Sequence, residues 1–253
     1  MELFDLTGKV AIVTGSTKGI GKAIAERLAE HGAKVTISSR KAAACEDVAG
    51  GINAKHPGSA IAVPANISSK DDLQRLVDAT RAAFGKVDIL VCNAASNPYA
   101  GPMSGMSDEA FRKILDNNIV SNHWLIHMVA PEMAARKDGA IVIISSIGGL
   151  RGTNVLGAYA ISKAADMQLA RNLAIELSPD NIRVNCIAPG LVKTDFARML
   201  WDNPENLKAS TSRSPLLRIG IPDEIAGAAV FLGSAAGNFM TGQTMVIDGG
   251  VTA

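Results

Sequence analysis

Cysteine is scarce: Cys45, Cys92 and Cys186 are the only three in 253 residues, odd in number and far apart. That excludes a disulfide scaffold and points to reduced thiols in a cytoplasmic protein. Charge of one sign is also missing. Twenty-five Lys and Arg stand against 24 Asp and Glu, which leaves no electrostatic case for nucleic acid or an anionic membrane as partner. No apolar run approaches the roughly 18 residues needed to span a bilayer. The start, Met1-Glu2-Leu3-Phe4-Asp5, has no basic segment leading into an apolar one, so no secretory signal is expected. The last three residues, Val251-Thr252-Ala253, are not a peroxisomal tripeptide. Internal repeats, low-complexity tracts and linkers are absent too, so 1–253 is read as one domain, a length that suffices for a full core.

What is present is an alternation of short β-rich apolar runs with longer helical patterns. It predicts an α/β fold, a doubly wound parallel sheet of seven strands with helices on both faces. Strands are placed near 9–14, 34–38, 59–63, 88–92, 140–145, 182–187 and 244–247, and helices near 19–31, 41–55, 70–84, 108–136, 157–178 and 223–233. Ser107 before Asp108 and Glu109 makes a capped helix start with acids at the positive dipole end. Pro131 is expected to kink or end the long helix that follows. The stretch 190–221 is the least regular, with Pro204, Pro215 and Pro222 interrupting helical patterns. It follows the sixth strand, at the carboxyl edge where such sheets bind ligands, and reads as a substrate-covering lid.

Three groups of residues carry chemistry. Gly15, Ser16, Thr17, Lys18, Gly19, Ile20 and Gly21 lie between the first strand and the first helix. Residues without Cβ there let backbone amides approach a pyrophosphate at a helix N-terminus. The second strand ends in Ser39-Arg40, with no acid to grip the adenosine ribose as NAD enzymes use. Arg40 and Lys18 instead offer two cations for a 2′-phosphate, with Ser39 as a hydroxyl donor, so NADP(H) is expected over NAD(H). Tyr159 and Lys163 stand four apart on a helix, one turn from each other on one face. An ammonium beside a phenol of pKa about 10 favours the phenolate and brings it toward the working range. With Ser146 at the end of the run Ala140–Ser145, these groups read together as a hydride-transfer site.

In order along the chain, Thr14-Gly15-Ser16-Thr17-Lys18-Gly19-Ile20-Gly21, Cys92-Asn93-Ala94-Ala95, Asn118, Ser146, Tyr159-x-x-x-Lys163, Pro189-Gly190 and Asp248-Gly249-Gly250 resemble the landmarks of the classical short-chain dehydrogenase/reductases over the whole length. The resemblance implies a Rossmann-type domain with a cofactor half over about 1–145 and a catalytic half over about 146–253. It implies that Ser146 orients the substrate oxygen, that Tyr159 transfers the proton, and that Lys163 binds the nicotinamide ribose and lowers the Tyr159 pKa. Asn118 would hold a water linking Lys163 to solvent. Asn117 and Ser145 are adjacent rivals, set aside because a branched apolar residue follows Asn118 and because Ser146 lies 13 residues before Tyr159. Pro189-Gly190 would turn beneath the nicotinamide, with Val192 and Thr194 at its carboxamide and Asn93, Ala94 and Ala95 along the cofactor. Asn66-Ile67 replaces the adenine-contacting Asp of the family, and Ala95 replaces a usual Gly.

The loops around Asn93–Pro98 and Ala188–Trp201 are similar to the NADP-dependent retinol dehydrogenase/carbonyl reductase branch. The expected substrate residues are Ser96, Asn97, Ile147, Leu156, Leu191, Phe196, Met199, Leu200 and Trp201, mostly apolar and without a cationic clamp. They suit a ketone, aldehyde or secondary alcohol with apolar or aromatic substituents. A 3-oxoacyl-carrier-protein reductase would share every catalytic residue. A non-catalytic NADP-binding regulator would not need the intact Asn-Ser-Tyr-Lys set. The resemblance also implies a homotetramer, with helices 108–136 and 157–178 in one interface and the C-terminal strand in another. His123 and His127 have metal-ligand spacing, but no third ligand stands beside them, so no metal is expected. Asp195 is read as a lid surface residue.

Overall fold

Seven parallel strands, the central ones buried on both sides, order the structure from the inside. The computed structural model describes residues 2–253. The strands β1 (Val10–Thr14), β2 (Lys34–Ser38), β3 (Ala60–Ala62), β4 (Ile89–Cys92), β5 (Gly139–Ile144), β6 (Ile182–Pro189) and β7 (Thr244–Ile247) form one sheet in the order β3-β2-β1-β4-β5-β6-β7. Every neighbouring pair is parallel. The order reverses between β1 and β4, and such a switch point opens a crevice at the carboxyl ends of the strands.

Helices α1 (Gly19–Glu30), α2 (Ala42–Lys55) and α8 (Pro222–Gly233) cover one face, and α3 (Lys70–Phe84), α5 (Ser121–Arg136) and α6 (Gly157–Leu177) cover the other. The period-two geometry of a strand sends Ala11 and Val13 to the first face and Ile12 to the second. Along β4, Ile89 and Val91 face one way and Leu90 and Cys92 the other. A slip of one residue would exchange the two sets, so both cores fix the same register.

The boundaries differ from the sequence expectation in four places. Strand β6 runs two residues further, to Pro189, which carries the chain to the crevice. The expected helix 108–136 is α4 (Asp108–Leu115), a π-helical turn over Asp116–Val120, and α5. The interruption therefore falls at Asn117 and Asn118, while the helix continues through Pro131 to Arg136. In the lid, Pro204 and Pro222 begin helices α7 (Pro204–Thr211) and α8 rather than interrupting them. Proline suits a first helical turn because its missing N–H would have no intrahelical partner there. Asn203 caps α7 by accepting the Glu205 N–H at 2.7 Å, and Ser107 caps α4 by accepting from Ala110 N at 3.2 Å.

Candidate active site

The turn between β1 and α1 is built around positions where a side chain cannot fit. Gly15 and Gly19 have φ of +66° and +55°, in the left-handed region. A Cβ on Gly21 would lie 2.4 Å from both Asn93 Nδ2 and the Gly15 carbonyl oxygen. The same Asn93 amide donates to Thr14 O at 2.8 Å and to Gly15 O at 3.2 Å. Thr14 Oγ1 accepts from the backbone N–H groups of both Asn93 and Ala94, at 3.0 Å each. One threonine and one asparagine thus tie the ends of β1 and β4 together at the switch point. Ser16 is buried and spent internally: its hydroxyl donates to Val13 O at 2.7 Å and accepts from Ser38 N at 2.8 Å. Thr17 is half-buried, Lys18 exposed, and Ile20 packs on the core. No side chain caps the N-terminus of α1, which leaves its first amides without a side-chain partner, as an anion site at a helix start requires.

Around the adenosine end, Arg40 is exposed and, among the described residues, makes no ion pair. Ser39 Oγ lies 3.4 Å from Cys45 Sγ. Lys18 is differently placed from what its spacing suggested: it meets the carboxylate of Asp195 in the lid at 3.3 Å. Lys18, and with it Arg198, holds the Asp195 carboxyl below its ordinary range. Asn66 Oδ1 accepts from Ser68 N at 3.2 Å, and Ile67 is half-buried against the second core. The left-handed Gly15 and Gly19 and the Cβ-free Gly21 leave the backbone of this turn open to a nicotinamide dinucleotide of the kind that the family binds.

The catalytic candidates converge at the ends of β5 and α6. A Cβ on Gly148 would sit 3.3 Å from Ser146 Oγ and 3.9 Å from Tyr159 Cε1, so the two hydroxyl-bearing side chains border one space. Ser146 Oγ accepts from Gly148 N at 3.0 Å, which fixes the oxygen and leaves its proton to donate. The Lys163 Nζ is 5.7 Å from the Tyr159 ring centroid. The Phe196 ring lies 6.0 Å from that of Tyr159. Ile147 is buried, while Leu156, Leu191, Ser96 and Asn97 are half-buried and Met199 and Leu200 exposed. Asn97 Oδ1 is buried without a hydrogen-bond partner, an acceptor that a ligand donor can satisfy.

Asn118 is buried in the π-helical turn. Its Oδ1 accepts from Ser96 N at 2.8 Å, and its Nδ2 donates to Ser96 O at 3.1 Å and Ser162 Oγ at 3.0 Å. Asn117 instead donates to Ser96 Oγ and accepts from Ser68 Oγ. The floor of the site is Pro189-Gly190, where a Cβ on Gly190 would lie 2.7 Å from Asp248 Cα. Asp248 in turn accepts from Gly250 N and Thr252 N, each at 2.8 Å. Val192 is buried, and the Thr194 methyl would be 3.1 Å from a Cβ on Gly19, so the lid base closes directly on the glycine turn.

Trp201 is half-buried in the lid. Its indole N–H donates to Thr194 O at 3.0 Å and Lys193 Nζ lies 5.7 Å from its ring. It lines a cavity of about 510 Å³ shared with Gly19, Lys22 and Ala23 of α1. The lid backbone thus supplies the acceptor that the indole N–H needs. Residues that spacing missed are Asp166, Asn122 and Ser162, which surround Lys163 and Asn118. A signal existed, since Asp166 is three residues past Lys163 and Asn122 four past Asn118, each on one helix face. His123 and His127 have ring centroids 4.1 Å apart, and no cluster of three metal-binding side chains occurs among the described residues.

A family model described as enoyl-(acyl carrier protein) reductase matches residues 15–252. The chain is 42% identical over 245 residues to dehydrogenase/reductase SDR family member 4 of Bos taurus, covering 97% of this chain and 88% of that one. Among solved structures it is similar to a 7α-hydroxysteroid dehydrogenase complexed with NADH and 7-oxo glycochenodeoxycholic acid, with TM-score 0.93, 38% identity and 98% and 96% of the two chains covered. It is also similar to a gluconate 5-dehydrogenase from Burkholderia cenocepacia in complex with NADP and tartrate, with TM-score 0.94, 30% identity and 99% and 98% covered.

Proposed function

The chain belongs to the classical short-chain dehydrogenase/reductase family of oxidoreductases, and from that premise we propose that it is an NADP(H)-dependent carbonyl reductase/alcohol dehydrogenase. One observation carries the reading: Ser146 and Tyr159 border a single space at Gly148, with the Lys163 ammonium behind the phenol. The nicotinamide cofactor supplies or takes up the hydride. The chain's own residues position the other reactant and handle the proton. Ser146 donates to the substrate oxygen and fixes its direction, and Tyr159 gives that oxygen a proton in reduction or takes one in oxidation. Lys163 stabilises the phenolate by charge.

Phe196 against the Tyr159 ring, with Met199 and Leu200 exposed nearby in chain, favours a substrate with apolar or aromatic substituents over a carboxylate or phosphate. Arg40 and Lys18 favour NADP(H) over NAD(H); the similar structures hold one cofactor each way. The compartment we propose is cytoplasmic, on the three unpaired, buried thiols. A homotetramer is supported by apolar side chains left exposed where the family pairs its subunits: Ile161 and Ile175 on α6, Val246 on β7 and Phe239 just before it.

The test is a panel of ketones, aldehydes, secondary alcohols and 3-oxoacyl thioesters, followed by nicotinamide absorbance with both cofactors. Tyr159→Phe removes the proton and keeps the ring, so turnover falls to a few per cent or less while cofactor binding persists. A variant that keeps substantial turnover refutes the assignment.

A further inference from the structure

Lys163 is buried beside a second charge that the reaction as described does not use. Its Nζ donates to Ile144 O at 2.8 Å and to Asp166 Oδ2 at 2.9 Å. The two side chains are 3% and 0% exposed. An ammonium has three donors, so these two bonds leave one for a ribose hydroxyl. The other Asp166 oxygen, Oδ1, accepts from Asn122 Nδ2 at 3.1 Å. The same Asn122 amide donates to Asn118 O at 2.7 Å. Asn118 Nδ2 reaches Ser162 Oγ, which donates to Tyr159 O at 2.7 Å. The network therefore runs from the π-helical turn through Asp166 to Lys163, and separately back to the backbone of Tyr159.

A lone ammonium this deep in apolar surroundings favours the neutral amine, because burial penalises the charged form. Burial presses against both charges. For Lys163 the Asp166 carboxylate and Tyr159 outweigh it and the net direction is upward. Burial pushes the Asp166 carboxyl up, against the lowering by the Lys163 ammonium and the Asn122 amide. The other titratable groups facing the pair are Cys92 from β4 and Cys186 from β6, whose thiols burial pushes up, so neither supplies a countercharge. From α5 and the π-helical turn come only the neutral amides of Asn122 and Asn118, and from β5 the Ile144 carbonyl.

We propose that Asp166 is a positioning residue: its carboxylate keeps the Lys163 side chain anchored and charged, so that Lys163 can stabilise the Tyr159 phenolate. This rests on the proposed roles of Tyr159 and Lys163. Removing the carboxylate acts on Tyr159 in two opposed ways. Directly, one less negative charge eases phenolate formation. Indirectly, a Lys163 without its counter-ion holds its proton less well and helps less. Asp166 touches Nζ at 2.9 Å, and Nζ is 5.7 Å from the Tyr159 ring centroid. On this proposal the path through the ammonium is the larger effect, and the direction in which the pH profile moves tests it.

The experiment follows the rising limb of the pH profile of alcohol oxidation, the direction in which Tyr159 takes the substrate proton, measured with the best alcohol from the panel and NADP+. In Asp166→Asn the limb moves to higher pH by about one unit or more, so that the rate at a fixed pH on the limb falls about tenfold. The apparent KM for NADP+ rises over the same range. Asp166→Glu, which restores the charge, returns the limb toward the wild-type position even where its rate is lower; a purely structural role predicts no such rescue. Thermal unfolding at the same pH values checks the fold. Should Asp166→Asn not fold, Asn122→Ala, which strips one donor from the carboxylate, moves the limb the same way by less. A limb that stays in place or moves to lower pH, with Tyr159→Phe inactive, overturns the role of Asp166 alone. An active Tyr159→Phe overturns the reading beneath it.

Discussion

On the proposed NADP(H) preference, Arg40→Asp is expected to reverse cofactor choice, with Arg40 rather than Lys18 expected to carry most of the effect. The 2′-phosphate is the only chemical difference between the two cofactors, so discrimination arises where it binds. A charge-assisted hydrogen bond contributes roughly 1.5–3 kcal/mol. Arg40 is exposed, which puts its share near the lower end, or about tenfold in affinity. Lys18 is not equivalent. It already meets Asp195 at 3.3 Å, with the two side chains 69% and 52% exposed, and must give up that partner to take a phosphate. Exchange of one exposed ion pair for another changes affinity by about threefold or less. Selectivity is then about ten- to thirtyfold and sits mainly on Arg40. In catalytic efficiency with NADPH, Arg40→Ala loses about tenfold, Lys18→Ala about threefold or less, and Asp195→Ala gains slightly. Arg40→Asp goes further, since its carboxylate repels the phosphate and accepts from the ribose diol of NADH. The wild-type advantage shrinks with added salt. Steady-state kinetics with both cofactors at two ionic strengths checks all of this. A wild-type enzyme that prefers NADH, or a Lys18→Ala loss as large as that of Arg40→Ala, refutes the reasoning.

Three further outcomes follow from geometry. Gly21→Ala forces a Cβ to 2.4 Å from Asn93 Nδ2 and Gly15 O, so it costs about 1–3 kcal/mol in urea unfolding and weakens cofactor binding. Gly227→Ala, in α8 with nothing within 4 Å of its Cβ, stabilises by about 0.5–1 kcal/mol; equal effects of the two would refute the packing account. Phe196→Ala changes relative rates across the substrate panel more than Trp201→Ala does, because Phe196 stands at Tyr159, and the opposite ranking would refute this. In the last, Arg218 and the Ile221 N–H hold the Glu224 carboxyl down at about 2, from an ordinary 4.5. A depressed acid contributes stability above its unfolded pKa and loses it as pH falls through the folded one. The gap in urea midpoint between wild type and Glu224→Gln therefore closes between about pH 4.5 and about pH 2. A gap as wide at pH 2.5 as at pH 7 would show that the clasp has no such role.

The sheet was legible because strand period and apolar runs act locally. All seven strands fall where expected, and only the extension of β6 to Pro189 was missed. The helix break was not legible at Asn118. A π-helical turn has no Pro or Gly to announce it, and what stabilises it is the bonding of Asn118 to Ser96, 22 residues away. Of the two outcomes expected at Pro131, ending the helix did not occur: loss of one amide does not outweigh an inner face that buries Leu125, Ile126, Val129 and Met133. Spacing brought Tyr159, Lys163 and Ser146 to attention, but the partners of a charge are a tertiary matter. Lys18 read as an open cation because its partner, Asp195, is 177 residues further on.

The two edges of the sheet are unequal, and this gives assembly a polarity. Strand β3 is three residues long and Pro64 follows one residue later, in an exposed position. So short an edge offers too little ladder for a stray strand to add, and proline removes a further donor. At the opposite edge β7 is flanked by the fully exposed Phe239 and carries Val246 outward. If the chain assembles as proposed, such an arrangement directs pairing to one end of the molecule and away from the other, which favours closed particles over open-ended fibres.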